Sequence, residues 1–114
     1  MNTASKTLAV LLLTLSLAAA PKELTMTATA FVLRGPTASG ANAHTGVVAA
    51  DPRILPLGTV IRVSGAGVHS GTYVVADTGR HMRGLIIDIH MRTRAEARRF
   101  GRRRVRVHIL RRAE

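Results

Sequence analysis

Cysteine is absent from this sequence, and acidic residues are few. Without cysteine the protein can form no disulfide bond and can carry no lipid on an N-terminal cysteine. A chain of 114 residues is long enough for one domain, which must therefore be stable through its hydrophobic core alone. Only six acidic residues stand against seventeen lysines and arginines, for a formal net charge of +11. Because acid is so scarce, the position of each carboxylate is informative.

The basic charge is concentrated late in the sequence, where ten of the fifteen arginines lie between Arg92 and Arg112. This balance favours an anionic partner, although a solvated face that keeps a small protein soluble has the same composition. Nucleic acid is the weaker candidate, because the tract contains a single aromatic residue, Phe100, and so lacks a platform on which bases stack. We therefore predict no nucleic-acid partner.

The first twenty residues have the pattern of an export signal. Lys6 precedes an apolar run over residues 8–17, which three alanines follow. That run is shorter than the roughly 20 apolar residues that span a bilayer. We predict a signal peptide over residues 1–18, a linker over residues 19–24 and one domain over residues 25–114. The protein is then secreted to the periplasm or cell wall, with no membrane partner after cleavage. The alternative is an uncleaved interfacial anchor or a first core helix.

Short apolar or alternating segments, bounded by glycine and proline, predict six strands. One helix is predicted over residues 94–100, since Thr93 and Glu96 form a capping-box pattern and Gly101 suits a left-handed stop. So many short strands in a small domain predict a closed barrel, because closure removes exposed strand edges. The predicted fold class is all-β with one short helix. The strands begin with a segment from Thr25 and continue with residues 47–50, 59–64, 72–76, 85–90 and 105–110.

The only three aspartates, Asp51, Asp77 and Asp88, stand at or next to the ends of apolar strands, in V-V-A-A-D-P, V-V-A-D-T-G and I-I-D-I-H. An ionised carboxylate is seldom placed among buried residues unless it has a partner or a function. Apolar surroundings raise the pKa of a carboxyl and nearby arginines lower it, and a general acid needs the first effect to prevail. The alternative is a turn-forming role, above all for Asp51 before proline and Asp77 before Thr-Gly.

Ordered motifs around these aspartates resemble the three-aspartate (3D) domain family. They are T-A-F at residues 29–31, T-A-S-G at 37–40, G-V-V-A-A-D-P at 46–52, L-P-L-G-T at 55–59, A-D-T-G at 76–79, G-L-I-I-D at 84–88 and F-G-R-R at 100–103. The resemblance covers residues 29–110. It implies a six-stranded double-psi β-barrel like the catalytic domain of membrane-bound lytic transglycosylase A, acting on peptidoglycan glycan strands. We further predict a monomer that uses no cofactor or metal.

The reaction that the resemblance implies is non-hydrolytic cleavage of the β-1,4 bond between N-acetylmuramic acid and N-acetylglucosamine, which leaves a 1,6-anhydro end. It makes Asp77 the catalytic acid, with Asp88 and Asp51 raising its pKa by like charge or holding sugar hydroxyls. The implied substrate-binding residues are Thr37, Gly40, Thr78, Gly79, Arg80 and Gly84. The chain departs from the family where Arg80, His81, Met82 and Arg83 replace small residues, and where Phe31 replaces a commoner tyrosine.

Three other functions fit parts of the pattern. Rare lipoprotein A-like, barwin and expansin proteins share this barrel, and some bind polysaccharide without catalysis, so a non-catalytic wall-glycan binder is the main alternative. The D-T-G motif also marks aspartic proteases, but only 35 residues follow Gly79, too few for the long segment that retroviral-type proteases carry there. Asp88 and His90, two apart on a strand, with His81 nearby, form a weaker candidate metal site.

Export should remove residues 1–18. Because the apolar run ends in small residues, the mature protein is expected to begin at Ala19. Intact-mass measurement of protein recovered from the wall or medium of the producing cell checks this. Recovery of the full-length chain there would show an uncleaved anchor instead.

Overall fold

Alternation of apolar and polar side chains gives most strands of this protein an inward and an outward face. The computed structural model describes residues 22–32, 46–79 and 82–113. Within these ranges it has six strands, one α-helix and one 3-10 turn at Gly67–His69. The elements in chain order are β1 (Glu23–Phe31), β2 (Val47–Ala50), β3 (Val60–Ser64), β4 (Gly71–Asp77), β5 (Ile86–His90), α1 (Arg94–Phe100) and β6 (Arg103–Arg111).

The six strands close into a barrel in the order β1, β5, β2, β4, β3, β6. β1 pairs in parallel with β5, and β2 pairs in parallel with β4. The other four neighbouring pairs are antiparallel. Every one of these strands therefore has two neighbours, and closure leaves no long edge exposed to pairing with another chain. The predicted six-stranded double-psi barrel with one short helix is confirmed.

Inward side chains from all six strands fill the barrel with an apolar core. Outward neighbours on the same strands are polar, as Arg62 and Arg104 show beside the buried Val63 and Val105. Truncating a fully buried aliphatic residue such as Ile87 to alanine costs roughly 2–5 kcal/mol, which is a large share of a small domain's stability. The strand residues of the core are Met26, Ala28, Val48, Ala50, Ile61, Val63, Val75, Ile87, Ile89, Val105 and Val107.

β4 carries one more residue than β2 where the two strands pair. Val48 lies opposite Val75, but the next residue, Ala49, lies opposite Asp77, so Ala76 is the extra residue of a β-bulge. In an unbroken register Asp77 would lie opposite Ala50, which belongs to the core. Because a shift of one residue reverses the face that a strand presents, the bulge turns Asp77 to the outside of the barrel.

The helix has the predicted bounds and caps. The Thr93 hydroxyl accepts a hydrogen bond from the amide of Glu96 at 3.1 Å, and Gly101 ends the helix with φ +64°. The Glu96 carboxylate accepts from the amide of Arg92 at 3.3 Å, one residue before the position that a standard capping box uses. Phe100 is the residue of α1 that is buried, and it joins the core.

Two strands begin two residues earlier than the sequence predicted, and one predicted loop cannot be compared. β1 begins at Glu23, inside the predicted linker, because Glu23 pairs with His108 and the Lys22 carbonyl accepts from the amide of Ile109 at 2.7 Å. β6 begins at Arg103, two residues early, for the same reason: it pairs there with Ala28. The T-A-S-G motif, with Thr37 and Gly40, lies outside the described residues. No helix in the described part of the chain is long and apolar enough to cross a membrane.

Replacing Thr93 with alanine should lower the free energy of unfolding by about 1 kcal/mol, because the amide of Glu96 loses its hydrogen-bond acceptor at the helix start. Urea denaturation followed by circular dichroism measures the change. Thr93→Ser keeps the hydroxyl and should stay close to the wild type. Equal losses in both variants would mean that the methyl group, and not the cap, is responsible.

Candidate functional site

Asp77 and Asp88 lie on the outer face of the barrel, on either side of Ala49. Ala49 pairs with Asp77 across the β2–β4 contact and with Asp88 across the β2–β5 contact. Asp88 in turn pairs with Thr29 of β1, so one row crosses four strands. Neighbouring strands lie about 4.8 Å apart, which places the Cα atoms of the two aspartates about 10 Å from each other. Two carboxylates that are 11 residues apart in sequence therefore share one surface.

Asp88 occupies the middle of β5, between the core residues Ile87 and Ile89. Its side chain is half-buried, and Thr29 Oγ1 donates a hydrogen bond to its Oδ1 at 2.9 Å. Burial raises the pKa of Asp88 above its ordinary value, while the hydrogen bond from Thr29 acts in the opposite direction and does not cancel it. A carboxyl that holds its proton to higher pH on an accessible surface has the property that a general acid requires.

Asp77 ends β4 and organises the turn that follows. Its Oδ1 accepts hydrogen bonds from the amides of Thr78 at 2.9 Å and Gly79 at 3.5 Å, so the carboxyl is held in a fixed orientation. Gly79 has φ +60°, and a Cβ there would lie 2.5 Å from Met82 Cγ. Glycine is thus required both by the backbone and by the close approach of Met82. That Cβ position is also 3.6 Å from Ala49 Cβ, so the turn packs onto the site's central residue.

Asp51 differs from the other two aspartates because an arginine side chain forms an ion pair with its carboxylate. It lies just beyond β2, 1% exposed, and Arg53 binds it with two nitrogens: Nε to Oδ1 at 3.0 Å and Nη2 to Oδ2 at 2.6 Å. The amide of Gly84 donates to the same Oδ2 at 2.8 Å. The Arg53 side chain first, and the Gly84 amide second, hold the pKa of Asp51 well below its usual range, despite its burial. Such a carboxylate stays ionised and joins the turn after β2 to the start of β5.

A shallow cavity of about 250 Å³ lies beside this joint. Asp51, Thr78 and Gly79 line it, three of the residues that the sequence predicted for the site. Gly84 adjoins it through its amide contact with Asp51. The remaining lining residues are Pro52, Arg53, Met82 and Arg83. The Arg53 guanidinium in this lining is already paired with Asp51, so Arg83 contributes the second guanidinium group beside the cavity.

The sequence analysis gave no role in the site to Thr29, Arg53 or Met82, although Thr29 belongs to the T-A-F motif and Met82 is one of the departures from the family pattern. The sequence predicted a strand around Thr29, but its contact with Asp88, 59 residues away, depends on the parallel pairing of β1 with β5. Arg53 follows Asp51 by two residues, and that spacing alone suggested a turn. Arg80 and His81 lie outside the described residues. Within the described ranges no group of three or more histidine, aspartate or glutamate side chains is close enough to hold a metal ion; His90 packs edge-on against Phe31, with ring centroids 5.4 Å apart.

The fold and the placement of the three aspartates define a class of protein: a double-psi barrel with carboxylates gathered at one end of β2. Residues 46–111 match the 3D domain family, and the chain belongs to that family. It is 36% identical over 100 aligned positions to the cell wall-binding protein YocH of Bacillus subtilis (strain 168). The alignment covers 80% of this chain and 33% of YocH. The lytic transglycosylase MltA of E. coli has a similar fold, with a TM-score of 0.57 and 21% identity over 72% of this chain and 29% of MltA. The chain spans about a third of the length of these relatives.

Replacing Asp51 with asparagine should destabilise the protein most at neutral pH. The folded pKa of Asp51 is depressed, so its ionised contacts stabilise the fold above the unfolded value of about 4, and this contribution is lost as the pH falls below it. Urea denaturation of both proteins between pH 7 and pH 2 should therefore show a stability gap that narrows on acidification.

Asp88→Asn is the matched control for that experiment. The pKa of Asp88 is raised, so its ionised form is the one that folding disfavours, and the gap from the wild type should move in the opposite direction over the same pH range. A gap that stays constant with pH for Asp51→Asn would contradict the role of its charge.

Proposed function

We propose that this protein is an exported peptidoglycan lytic transglycosylase that cleaves the β-1,4 bond between N-acetylmuramic acid and N-acetylglucosamine. The observation that carries the proposal is the row formed by Asp77, Ala49 and Asp88 on the outer face, in which burial raises the pKa of Asp88. Ala49 is 3% exposed beneath the turn that carries Gly79, but both aspartates are partly exposed on the outer face, where a polymer chain can reach them. The alternating outward positions of neighbouring strands offer contacts along such a chain.

The relatives support a role at the cell wall. YocH is named a cell wall-binding protein, and MltA is named a lytic transglycosylase. Membership of the 3D domain family and an MltA-like barrel are consistent with a shared substrate, the wall glycan. A location outside the cytoplasm follows from that substrate and agrees with the predicted signal peptide. The glycan strand is the proposed partner.

One protonated carboxyl is enough for the chemistry. It donates its proton to the glycosidic oxygen as the bond from C1 to that oxygen breaks, and the resulting carboxylate then accepts the proton of the sugar's own 6-hydroxyl. The 6-oxygen closes on C1 and gives the 1,6-anhydro end. No water enters, so a second carboxylate is not needed as the base for a nucleophilic water.

The environment of Asp88 favours it over Asp77 as this proton donor. Burial raises the pKa of Asp88, and Thr29 holds one of its oxygens, Oδ1. Asp77 Oδ1 instead accepts two backbone amides of its own turn, which suits a residue that orients sugar hydroxyls or stabilises positive charge on the ring. The family resemblance assigns the acid role to Asp77, and the two assignments make different predictions for mutants.

A non-catalytic glycan-binding barrel is the second candidate. It is favoured by YocH, a relative named for cell wall binding and not for catalysis. In this alternative the row formed by Asp77, Ala49 and Asp88 binds glycan hydroxyls, and no bond is broken. Purified sacculi distinguish the two candidates, because anhydro-muropeptides are released only by an enzyme.

Replacing Asp88 with asparagine should reduce anhydro-muropeptide release by about a hundred- to ten-thousand-fold, since an amide can neither deliver nor collect the proton. Asp77→Asn should lower the rate less if it orients the substrate. Asp51→Asn should act mainly through stability. Mass spectrometry of the products of each folded variant measures these effects.

Glu23→Gln is the control. Like the aspartate variants it removes one carboxylate, but Glu23 lies on β1, outside the row formed by Asp77, Ala49 and Asp88. It should keep wild-type release. A folded Asp88→Asn with full activity beside an inactive Asp77→Asn would return the acid role to Asp77. No release by the wild type at any pH would leave the binding function.

A further inference from the structure

A second functional surface lies on the opposite side of the barrel. In the closed order of strands, β6 stands across from β2, which carries the centre of the proposed glycan site. Outward positions of β6 and its neighbour β3 carry Arg62, Arg104 and Arg106. We call these three residues the basic strip. We propose that the basic strip binds a linear phosphodiester polymer of the cell wall, while the glycan occupies the row formed by Asp77, Ala49 and Asp88.

The strand register brings the basic strip together from distant parts of the sequence. Arg106 lies between Thr25 of β1 and Ser64 of β3, and Arg104 pairs with Thr27. Arg62 is two residues before Ser64, on the same outward face. Hydroxyl side chains therefore alternate with guanidinium groups across three strands. This combination of charge and short hydroxyl donors fits phosphate oxygens.

Like charges at neighbouring positions of a sheet repel one another, and little in the described structure offsets this. The acid in contact with the basic strip is Glu23, whose Oε1 is 4.0 Å from Arg106 Nε, with both side chains more than half exposed. Within residues 22–32, 46–79 and 82–113, Arg62 and Arg104 form no ion pair. A surface that serves solubility alone intersperses both signs. A bound polyanion would relieve the repulsion.

The basic strip borders a shallow groove of about 260 Å³ where β3 ends. Gly65, with φ +84°, lines the groove without a side chain. A Cβ at this position would lie 3.7 Å from the carbonyl oxygen of Arg104 and 3.8 Å from the Cα of Val105. Thr25 and Ser64 complete the lining together with Arg104 and Arg106. A phosphate bound in this open groove would lie beside the guanidinium groups of Arg104 and Arg106.

A linear polymer fits the spacing better than an isolated anion. Alternate residues of a strand repeat at about 6.7 Å, so Arg104 and Arg106 present charge at regular intervals along β6. No aromatic residue belongs to the strip or to the lining of its groove, so it has no surface on which exposed bases could stack, and a single-stranded nucleic acid is disfavoured. Assigning the polymer to the wall rests on the proposed function, which places the protein there.

The test compares two triple variants with the same loss of charge. The strip variant is Arg62→Gln, Arg104→Gln, Arg106→Gln; the helix variant is Arg94→Gln, Arg98→Gln, Arg99→Gln, which alters exposed arginines of α1. Each protein is sedimented with sacculi that retain their phosphodiester polymer and with the same sacculi after hydrofluoric acid extraction. Circular dichroism confirms that both variants are folded.

The wild type and the helix variant should bind the intact sacculi about tenfold more tightly than the extracted ones, and the strip variant should bind both equally. The difference should disappear in high salt, which screens exposed charges. Equal losses in both variants would show a diffuse effect of net charge and overturn the proposal. Equal binding of the wild type to both kinds of sacculi would overturn it as well.

A duplex DNA arm tests the commitment to a wall polymer. DNA binding as tight as binding to intact sacculi, and equally dependent on the strip, would make the surface a general polyanion site and contradict that commitment. Release of anhydro-muropeptides from extracted sacculi should be the same in the wild type and the strip variant. This readout separates the two proposals. If no anhydro-muropeptides are released, the proposed transglycosylase activity fails, but the comparison of binding to intact and extracted sacculi still tests the basic strip.

Discussion

The narrow interior of a six-stranded barrel is the constraint on which the rest of this structure depends. Barrels of this size have room inside only for side chains, and here the inward positions of all six strands are apolar. With no cysteine to cross-link it, the domain cannot give up part of this core to a binding pocket. Polar chemistry is therefore confined to outward positions and to the turns. The result is a protein whose possible sites are surfaces and shallow grooves, which suits polymeric ligands.

The three aspartates show how one residue type acquires three different environments. Asp51 is buried and ionised because Arg53 and the Gly84 amide compensate its charge. Asp88 is half-buried, no arginine of residues 22–32, 46–79 and 82–113 pairs with it, and its carboxyl holds its proton more strongly. Asp77 is fixed by the amides of its own turn. The local sequence around each aspartate did not predict these environments, because the decisive contacts of Asp51 and Asp88 come from the Arg53 side chain, from the Gly84 amide and from Thr29 on another strand.

Local patterns predicted much of this fold. The helix, its caps and all six strands follow from alternation, glycine positions and the Thr93 and Glu96 pair, which act within a few residues. Strand ends were less well predicted, since β1 and β6 extend each other by pairing at Glu23 and Arg103. The parallel contact between β1 and β5, which brings Thr29 to Asp88, joins segments separated by most of the chain. Family resemblance, and not periodicity, supplied that topology.

The bulge at Ala76 also determines how this domain can change in length. Ala76 is small and only 5% exposed, and its presence between Val75 and Asp77 makes β4 one residue longer than β2 at this point. Loss of Ala76 alone would remove the bulge and still leave Asp77 opposite Ala49 on the outside. Straightening the strand with Ala76 in place would instead turn the carboxylate of Asp77 into the core, opposite Ala50. Related barrels should therefore have either a bulged β4 with six steps from Gly71 to Asp77 or a regular β4 with five, and other changes in length should accumulate in the turn of residues 65–70.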